Sequence, residues 1–257
     1  MKAVWEAVCS VWSWFVLGAS MALWLPLMAL IRLATRHSDP GRYWVGYMFR
    51  QIAVLMATLN PLWRFRISGR MPTDPRNPYL VVSNHESFVD ILLISHLPWE
   101  MKWLSKAELF RIPVLGWLMH LAGDIPVDRG NPRSAAEAMV RCKEILKEKV
   151  SVIIFPEGTR SETDEMLPFK DGAFRLAIDA GVPILPLAVS GAATALRKHD
   201  WRFGRSIAEV RVLEPVETKG LARADIGALR DRVWHMIAAE RDQMRSIQRL
   251  TKETSVS

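Results

Sequence analysis

The residues with the clearest chemical potential are a histidine and an aspartate five positions apart, His85 and Asp90. They lie in the segment 84–90, whose sequence is Asn-His-Glu-Ser-Phe-Val-Asp. The apolar run 79–82 before this segment has the composition of a buried strand, and the apolar residues 91–94 after it are typical of a helix. His85 is therefore predicted to lie at a strand-to-helix junction.

The spacing of the two residues restricts how they can meet. On one continuous helix five positions turn through roughly 500°, which leaves the two side chains roughly 140° apart. If His85 instead lies on the turn before the helix and Asp90 within its first two turns, the carboxylate can fold back to the imidazole. A carboxylate on one ring nitrogen fixes the tautomer and leaves the other nitrogen as a general base.

Such a pair is two-thirds of a catalytic triad, and it lacks a nucleophile. A hydroxyl group of the substrate can fill that role, in which case the reaction is acyl transfer to an alcohol and not hydrolysis through a covalent enzyme. The alternative is a junction histidine that is bonded to a helix carboxylate and has no catalytic role, because a histidine and an aspartate at this spacing also occur by chance.

A second polar segment follows another apolar run. Residues 155–160, Phe-Pro-Glu-Gly-Thr-Arg, come directly after Val-Ile-Ile at 152–154. Together with the segment 84–90 they resemble the glycerolipid acyltransferases, especially the 1-acylglycerol-3-phosphate acyltransferases. The stretches 102–129 and 182–189 resemble two further motif blocks of that family, so the resemblance covers residues 79–191.

The resemblance implies transfer of a fatty acyl group from acyl-CoA or acyl-carrier protein to the free hydroxyl of 1-acyl-glycerol-3-phosphate (lysophosphatidic acid), which gives phosphatidic acid. The acyl thioester is a co-substrate, and no cofactor is expected. His85 would take the proton from the acceptor hydroxyl, and Asp90 would hold the imidazole and stabilise its cation. Glycerol 3-phosphate or another lyso-lipid remains open as the acceptor.

Three cations are candidates to bind the phosphate of the acceptor. Arginine offers a planar, bidentate fork and lysine a point charge. The resemblance favours Arg160, with Arg129 and Lys106 as further candidates. The alternative for each is a surface cation or an ion-pair partner.

The remaining candidates for substrate binding are polar or backbone groups close to the two segments. Glu157 would accept a hydrogen bond from an acceptor hydroxyl or orient Arg160. The N–H groups of Gly158 and Thr159 could bind the phosphate or a developing oxyanion, with an ordinary turn as the alternative for the glycine. Asn84 would cap the helix that follows or contact the substrate.

Three other classes of function are alternatives to acyl transfer. A metal-dependent hydrolase would use His85, Asp90 and Glu157 as ligands, but no further histidines stand at regular ligand spacing, and no metal is expected. A serine esterase is disfavoured because the chain has no Gly-x-Ser-x-Gly sequence. A non-enzymatic membrane scaffold is the third alternative.

The composition points to a lipid surface as a partner. The 257 residues include 34 basic and 27 acidic side chains, for a net charge of +7, and 11 tryptophans. Basic residues and tryptophan both favour an anionic membrane surface. No nucleic-acid-binding motif is present, so nucleic acid is not expected as a partner. The two cysteines, Cys9 and Cys142, lie in different segments, which favours free thiols in a reducing cytoplasm.

The N-terminal part is predicted to anchor the protein. Residues 7–31 carry no charge and are long enough to cross a hydrocarbon layer of ~30 Å. The arginines that follow them place the catalytic part at the cytoplasmic face of the cell (inner) membrane if the segment spans it. A second apolar stretch, 43–59, leaves a helical hairpin that dips into one leaflet as an alternative. A cleaved signal peptide is disfavoured by the length of the run, its tryptophans and Glu6.

The rest of the chain alternates strands with helices. This order predicts an α/β fold with a mostly parallel, mixed sheet flanked by helices, as in the glycerolipid acyltransferases, behind a membrane anchor of helices over residues 1–60. The acyltransferase domain is predicted over 61–257, with its motif core at 79–191, a single helix over 106–121 and an amphipathic helix over about 221–250. The candidate residues at 85, 106, 129 and 157–160 all follow predicted strands, so we expect them at one edge of the sheet.

Overall fold

One mixed sheet of seven strands organises the protein. The computed structural model describes residues 2–161, 163, 165–196 and 200–254, and within them the strand order is β1-β7-β6-β2-β5-β3-β4. The strands are β1 (Trp63–Gly69), β2 (Leu80–Ser83), β3 (Met101–Lys106), β4 (Ile125–Val127), β5 (Ser151–Ile154), β6 (Ile184–Ser190) and β7 (Ser206–Val212). The predicted α/β class with a mostly parallel, mixed sheet is confirmed.

The helices cover both faces of this sheet. They are α1 (Lys2–Ala34), α2 (Tyr43–Thr58), α3 (Val89–Ile94), α4 (Leu115–Ala122), α5 (Pro132–Lys147), α6 (Gly172–Ala180) and α7 (Ile226–Thr254). Short 3₁₀ turns occur at Ala107–Arg111, Ala192–Thr194 and Arg223–Asp225. The strands are short, as is usual for a sheet buried between helical layers.

The direction of the strands brings several loops together. Strands β2 to β6 pair in parallel with their neighbours, whereas β7 is antiparallel to β6 and parallel to β1. The carboxyl ends of five strands therefore meet at one edge of the sheet. The predicted site residues that follow β2, β3, β4 and β5 lie at this edge, as expected.

Alternating side chains on β2 divide the core into two layers. Leu80 and Val82 face α5, α6 and α7, whereas Val81 faces the other layer, to which α3 belongs. Every residue of β2 is buried, so both layers exclude water from the central strand. Burial of apolar surface on both faces is the main stabilising contribution to such a fold.

Helices α1 and α2 pack over the layer that contains α3. Cys9 and Val16 of α1 belong to the same buried cluster as Val89 and Leu92 of α3. A second cluster joins α1 and α2 to α4, with Met28 and Leu118 at its centre. The outer face of α1 is apolar and exposed, and α1 is long and apolar enough to cross a membrane by length and composition.

The prediction of a single helix over residues 106–121 is wrong. The structure divides this stretch into the 3₁₀ turn Ala107–Arg111 and helix α4, with Pro113 between them. Val114 has φ 65° and ψ −57°, and the N–H of Leu115 donates to the carbonyl of Pro113 at 2.8 Å. Proline removes a backbone donor and disfavours the helical conformation in the residue before it, which explains the break.

Candidate active site

The predicted contact between His85 and Asp90 is confirmed. Nδ1 of His85 lies 2.8 Å from Oδ2 of Asp90, and both side chains are mostly buried. His85 stands in the loop after β2, and Asp90 in the first turn of α3. Because an ionised carboxylate can only accept, the contact assigns the ring proton to Nδ1 and leaves Nε2 as the basic nitrogen.

The carboxylate of Asp90 is held by the backbone of the same loop. Its Oδ2 atom also accepts from the N–H of Glu86 at 2.7 Å and from the N–H of Ser87 at 2.9 Å. These groups lie before the N-terminus of α3, where a negative charge is favoured. The loop therefore fixes the position of the carboxylate before any substrate binds.

The imidazole of His85 is also fixed from the side. Its ring stacks on Phe155 with a centroid distance of 4.0 Å and an interplanar angle of 13°. The side chain of His85 is 11% exposed, and Nε2 makes no hydrogen bond to the described residues. Phe155 was not among the predicted site residues, although its place directly after a strand, as the first residue of the second motif, is the signal that could have identified it.

Glu157 connects the two sequence motifs. Its Oε1 accepts from the N–H of His85 at 2.7 Å, and its Oε2 accepts from the N–H of Leu167 at 3.0 Å. The N–H of Ser161 donates back to the carbonyl of His85 at 3.1 Å. Burial raises the pKa of Glu157, and the two N–H donors oppose that rise.

Glu157 forms no ion pair with Arg160 in the described chain, so the expectation that it orients this arginine is wrong. Both carboxylate oxygens of Glu157 accept hydrogen bonds from backbone N–H groups instead. A contact between Glu157 and the acceptor stays a prediction.

The turn after β5 contains a glycine with a bonded N–H group and contacts one cation. Gly158 has φ 76°, a conformation that favours glycine, and its N–H donates to the carbonyl of Phe155 at 3.0 Å. The expectation that this N–H binds the substrate is therefore wrong, whereas the N–H of Thr159 has no partner within the described residues. Arg129 donates to the carbonyl of Gly158 and so joins the turn.

Arg160 is half-buried and makes no hydrogen bond or ion pair within the described part of the chain. Lys106 is exposed, and its nearest charged partner is Glu108 at 3.9 Å. Lys170, which the sequence analysis did not select, places its ammonium group beside Gly158, where an added Cβ would lie 2.7 Å from Nζ. No spacing rule in the sequence marked this lysine, because a loop brings it back to the turn.

The side chain of Asn84 binds strand β6 and does not cap helix α3. Its side-chain amide donates to the carbonyl of Val189 at 2.9 Å and accepts from the N–H of Val189 at 2.8 Å. Helix α3 begins after Phe88 without a side-chain cap, so the expected capping role of Asn84 is wrong. With its amide engaged by β6 and 1% of the residue exposed, Asn84 positions the loop that carries His85.

The residues proposed for a metal site are engaged with one another. Asp90 binds His85 and two N–H groups, and both oxygens of Glu157 accept from the backbone. Among residues 2–161, 163, 165–196 and 200–254, no three His, Cys, Asp or Glu side chains form a group suited to a metal ion.

Comparisons with known proteins agree on one family. The family model described as Acyltransferase matches residues 64–190, which contain the loops of His85 and Glu157. The chain is 41% identical over 174 residues to 1-acyl-sn-glycerol-3-phosphate acyltransferase alpha of Homo sapiens, a match that covers 67% of this chain and 62% of that protein.

Two further relatives carry related names. The chloroplastic 1-acyl-sn-glycerol-3-phosphate acyltransferase BAT2 of Brassica napus is 41% identical over 144 residues, which is 54% of this chain and 42% of that protein. The 1-acyl-sn-glycerol-3-phosphate acyltransferase of Saccharomyces cerevisiae is 36% identical over 173 residues, 66% of this chain and 55% of that protein. The chain thus matches about half of the length of these relatives.

The fold has a counterpart among crystal structures. The 1-acyl-sn-glycerophosphate (LPA) acyltransferase PlsC of Thermotoga maritima superposes with a TM-score of 0.81 and 24% sequence identity, over 95% of this chain and 98% of that one. This similarity shows the fold, including α1 and α2. From the matched domain, the identities and the paired motifs at the sheet edge, we conclude that the chain belongs to the acyltransferase family.

Proposed function

We propose that this protein transfers a fatty acyl group from an acyl thioester to the free hydroxyl of 1-acyl-glycerol-3-phosphate, which gives phosphatidic acid. The observation that carries the proposal is the 2.8 Å contact between His85 and Asp90, which leaves Nε2 as a base. The names of the relatives support the choice of acceptor.

In this mechanism the acceptor oxygen attacks the thioester carbonyl carbon while its proton passes to Nε2 of His85. Asp90 stabilises the imidazolium that forms. The tetrahedral intermediate collapses, the carbon–sulfur bond breaks, and the departing thiolate takes the proton from the imidazolium. The N–H of Thr159 is the candidate donor to the oxyanion, because the N–H of Gly158 is already used.

The phosphate of the acceptor would bind the cations around the turn after β5. Arg160 has no partner among the described residues and can offer two parallel hydrogen bonds. Arg129 reaches the same turn through the carbonyl of Gly158, and the ammonium group of Lys170 also lies beside Gly158. Lys106 lies further along the edge of the sheet and would contribute a more distant charge.

The bilayer is the proposed source of the acceptor, and α1 is the proposed attachment. Trp14 near the start of α1 donates to the carbonyl of Trp201, and Trp24 donates to the carbonyl of Met48 at 3.1 Å. Helix α1 therefore lies along the body of the protein over much of its length of about 50 Å. This arrangement favours attachment to one leaflet over a span, because a spanning helix would carry these partners into the hydrocarbon.

The protein would act at the cytoplasmic face of the cell membrane. The basic residues that follow the apolar segment support this side, because the anionic lipids of the cytoplasmic leaflet attract them. Cys9 and Val16 of the proposed anchor share a buried cluster with Val89 and Leu92 of α3, the helix that carries Asp90. The catalytic pair would thus stand close to the membrane from which a lyso-lipid comes.

The direct test is an acyl-transfer assay with the purified full-length chain. We would offer lysophosphatidic acid, glycerol 3-phosphate and a lyso-lipid without a free phosphate, each with acyl-CoA and with acyl-carrier protein as the donor. The proposal expects formation of phosphatidic acid with at least one donor and a clear preference for lysophosphatidic acid. Transfer to glycerol 3-phosphate alone would mean that the proposed acceptor is wrong and that the proposed reaction, acyl transfer to a hydroxyl group, is right.

His85→Ala provides the matched control for this assay. The variant should lose turnover and still float with lipid vesicles, because α1 is unchanged. Equal activity of the two purified proteins would refute the catalytic role of the pair. Vesicle binding without transfer from any thioester, by either protein, would favour a membrane scaffold.

A further inference from the structure

The connection between β3 and β4 exposes two large apolar side chains that the proposed reaction does not use. Ile112 is 46% exposed and Trp117 is 56% exposed. Arg111 and His120, on the same connection, are exposed as well. An exposed tryptophan beside basic residues is a combination that favours the interfacial layer of a membrane.

The backbone of this connection holds a specific shape. Val114 adopts a positive φ of 65°, which is rare for a β-branched residue, in a tight turn closed by the N–H of Leu115. Gly116 lies so close to the carbonyl of Phe110 that an added Cβ would stand 2.1 Å from its oxygen. The loop is therefore fixed in a form that leaves Ile112 and Trp117 outside the core.

Helix α4 is joined to the helices of the proposed anchor. Leu118 and Ala122 are buried against Met28 of α1 and against α2, and Val114 and Leu121 pack at the border of this cluster. The guanidinium of Arg42, at the start of α2, donates to the carbonyl of His120 at 2.6 Å. The two contacts attach α4 firmly to α1 and α2.

Helical geometry places Trp117 next to this contact. Residues four positions apart share a face of a helix, so Trp117 lies beside Leu121 of α4. Helix α1 packs in the same cluster and exposes Leu23, Leu27, Leu30 and Leu33. Both helices that meet in this buried contact therefore also carry exposed apolar side chains.

We propose that the connection between β3 and β4 is a second membrane-contacting element, and that Ile112 and Trp117 enter the lipid surface beside α1. This inference rests on the proposed attachment of α1 to a bilayer. The partner is an anionic phospholipid surface, because apolar side chains stand there with Arg111 and the net charge of the chain is +7.

The contact would bring lipid headgroups to the cationic edge of the sheet. Lys106 is the last residue of β3 and directly precedes this connection. A membrane that touches Ile112 would therefore lie within a few residues along the chain of one of the cations proposed to bind the phosphate. The element would set how the active site faces the bilayer, in addition to increasing attachment.

The test uses a fluorophore that reports an apolar environment, attached to single introduced cysteines. Ile112→Cys and Trp117→Cys report the proposed element, Leu30→Cys reports α1, and Val140→Cys is the matched control. Val140 is 62% exposed on α5, which packs on the opposite face of the sheet. The native thiols, Cys9 and Cys142, are buried and should react slowly.

The labelled full-length proteins would be mixed with vesicles of phosphatidylcholine and phosphatidylglycerol. We expect a blue shift and an intensity gain at positions 112, 117 and 30, and neither at position 140. A response at position 30 with none at 112 and 117 would overturn this inference and leave the attachment of α1 intact. The absence of a response at every position would refute the attachment of α1, and the inference with it.

A second measurement separates membrane contact from folding. The double variant Ile112→Ser/Trp117→Ser should lose activity several-fold on acceptor presented in vesicles and keep wild-type activity on acceptor dispersed in detergent micelles. Val140→Ser should keep both activities. Equal activity of the double variant and the wild type on vesicles would contradict the proposal, and so would an equal loss in micelles, which indicates a folding defect.

Discussion

The guanidinium of Arg245 lies 2.9 Å from the carboxylate of Glu86, although the two residues are 159 positions apart in the chain. Glu86 directly follows His85, and its N–H donates to Asp90. Arg245 belongs to α7, which lies outside the residues matched by the family model. The C-terminal helix therefore contacts the loop that fixes the proposed catalytic pair.

This contact leads to a prediction about stability and pH. Burial, and secondarily the charge of Asp90, raise the pKa of Glu86 from 4.5 to about 7, while Arg245 opposes the rise. Between about pH 4.5 and 7 the folded protein holds a proton that the unfolded chain has released. The free energy of unfolding should therefore fall by about 3 kcal/mol as the pH rises through this window.

Glu86→Gln removes this titration, so its unfolding free energy should vary less with pH over the same window. Urea unfolding in detergent at pH 5 and pH 7.5 measures the difference. Glu144→Gln, at an exposed position on α5, should retain the slope of the wild type. An unchanged slope in Glu86→Gln would contradict the assignment.

Asp90→Asn tests the role of the carboxylate apart from its shape. All three contacts of this carboxylate use Oδ2, so an asparagine oxygen at that place can still accept from Glu86, Ser87 and Nδ1 of His85. The amide carries no negative charge, so it does not stabilise the imidazolium that forms when His85 takes the proton. We expect turnover at saturating substrate to fall by about 10²- to 10⁴-fold, with little change in the unfolding midpoint.

The control for this change is Asp128→Asn, at an exposed position in the loop after β4. Its turnover should stay close to that of the wild type. If Asp90→Asn kept turnover within a few-fold of the wild type, the carboxylate would have no catalytic role.

The arrangement of the catalytic pair could be predicted because local chemistry determines it. A strand that ends before His85 and a helix that begins before Asp90 leave one compact way for the two side chains to meet. The positions of Lys106 and Arg129 at the same edge followed from strand order, since parallel strands present their carboxyl ends together. Both features depend on patterns of a few neighbouring residues.

Other features depend on contacts distant in the chain, and the sequence alone could not reveal them. Asn84 binds Val189, 105 positions away, and Glu86 binds Arg245. The helix expected over 106–121 was wrong because the tight turn at Val114 outweighed the apolar pattern. Such details arise from packing between elements, which no local spacing encodes.

Arg160→Ala tests phosphate recognition. Loss of a charge-assisted, bidentate contact should raise the KM for lysophosphatidic acid by roughly tenfold to a hundredfold, with a smaller effect on kcat. Arg160→Lys should recover part of the loss, because a lysine supplies charge without the planar fork. Steady-state kinetics with lysophosphatidic acid and with an uncharged monoacylglycerol give the comparison.

Arg160→Ala should discriminate less between lysophosphatidic acid and the uncharged monoacylglycerol than the wild type does. Arg66→Ala is the control. Arg66 is exposed on β1, the outermost strand of the sheet, and β1 is separated in the strand order from the strands that precede the site residues. An unchanged KM for lysophosphatidic acid in Arg160→Ala would assign phosphate binding to other cations.

A buried ionic network joins the proposed anchor to the sheet and gives the last prediction. Lys102 donates at 2.8 Å to Glu100 and at 2.8 Å to the carbonyl of Arg42, which precedes α2. Arg50 of α2 contacts Asp124 at 2.5 Å. Burial lowers the pKa of Lys102 and raises that of Glu100, and each of these charges stabilises the other.

Lys102→Met should reduce the free energy of unfolding by about 3 kcal/mol, because it leaves the buried Glu100 with only the longer 3.6 Å contact to Arg50. Glu100→Gln/Lys102→Met should be less destabilised than this single variant, since no unpaired charge remains between the two positions. Urea unfolding in detergent measures both, with Lys147→Met, at an exposed position on α5, as the control. If the double variant were the less stable of the two, the pair would contribute net stability and would not merely compensate two buried charges.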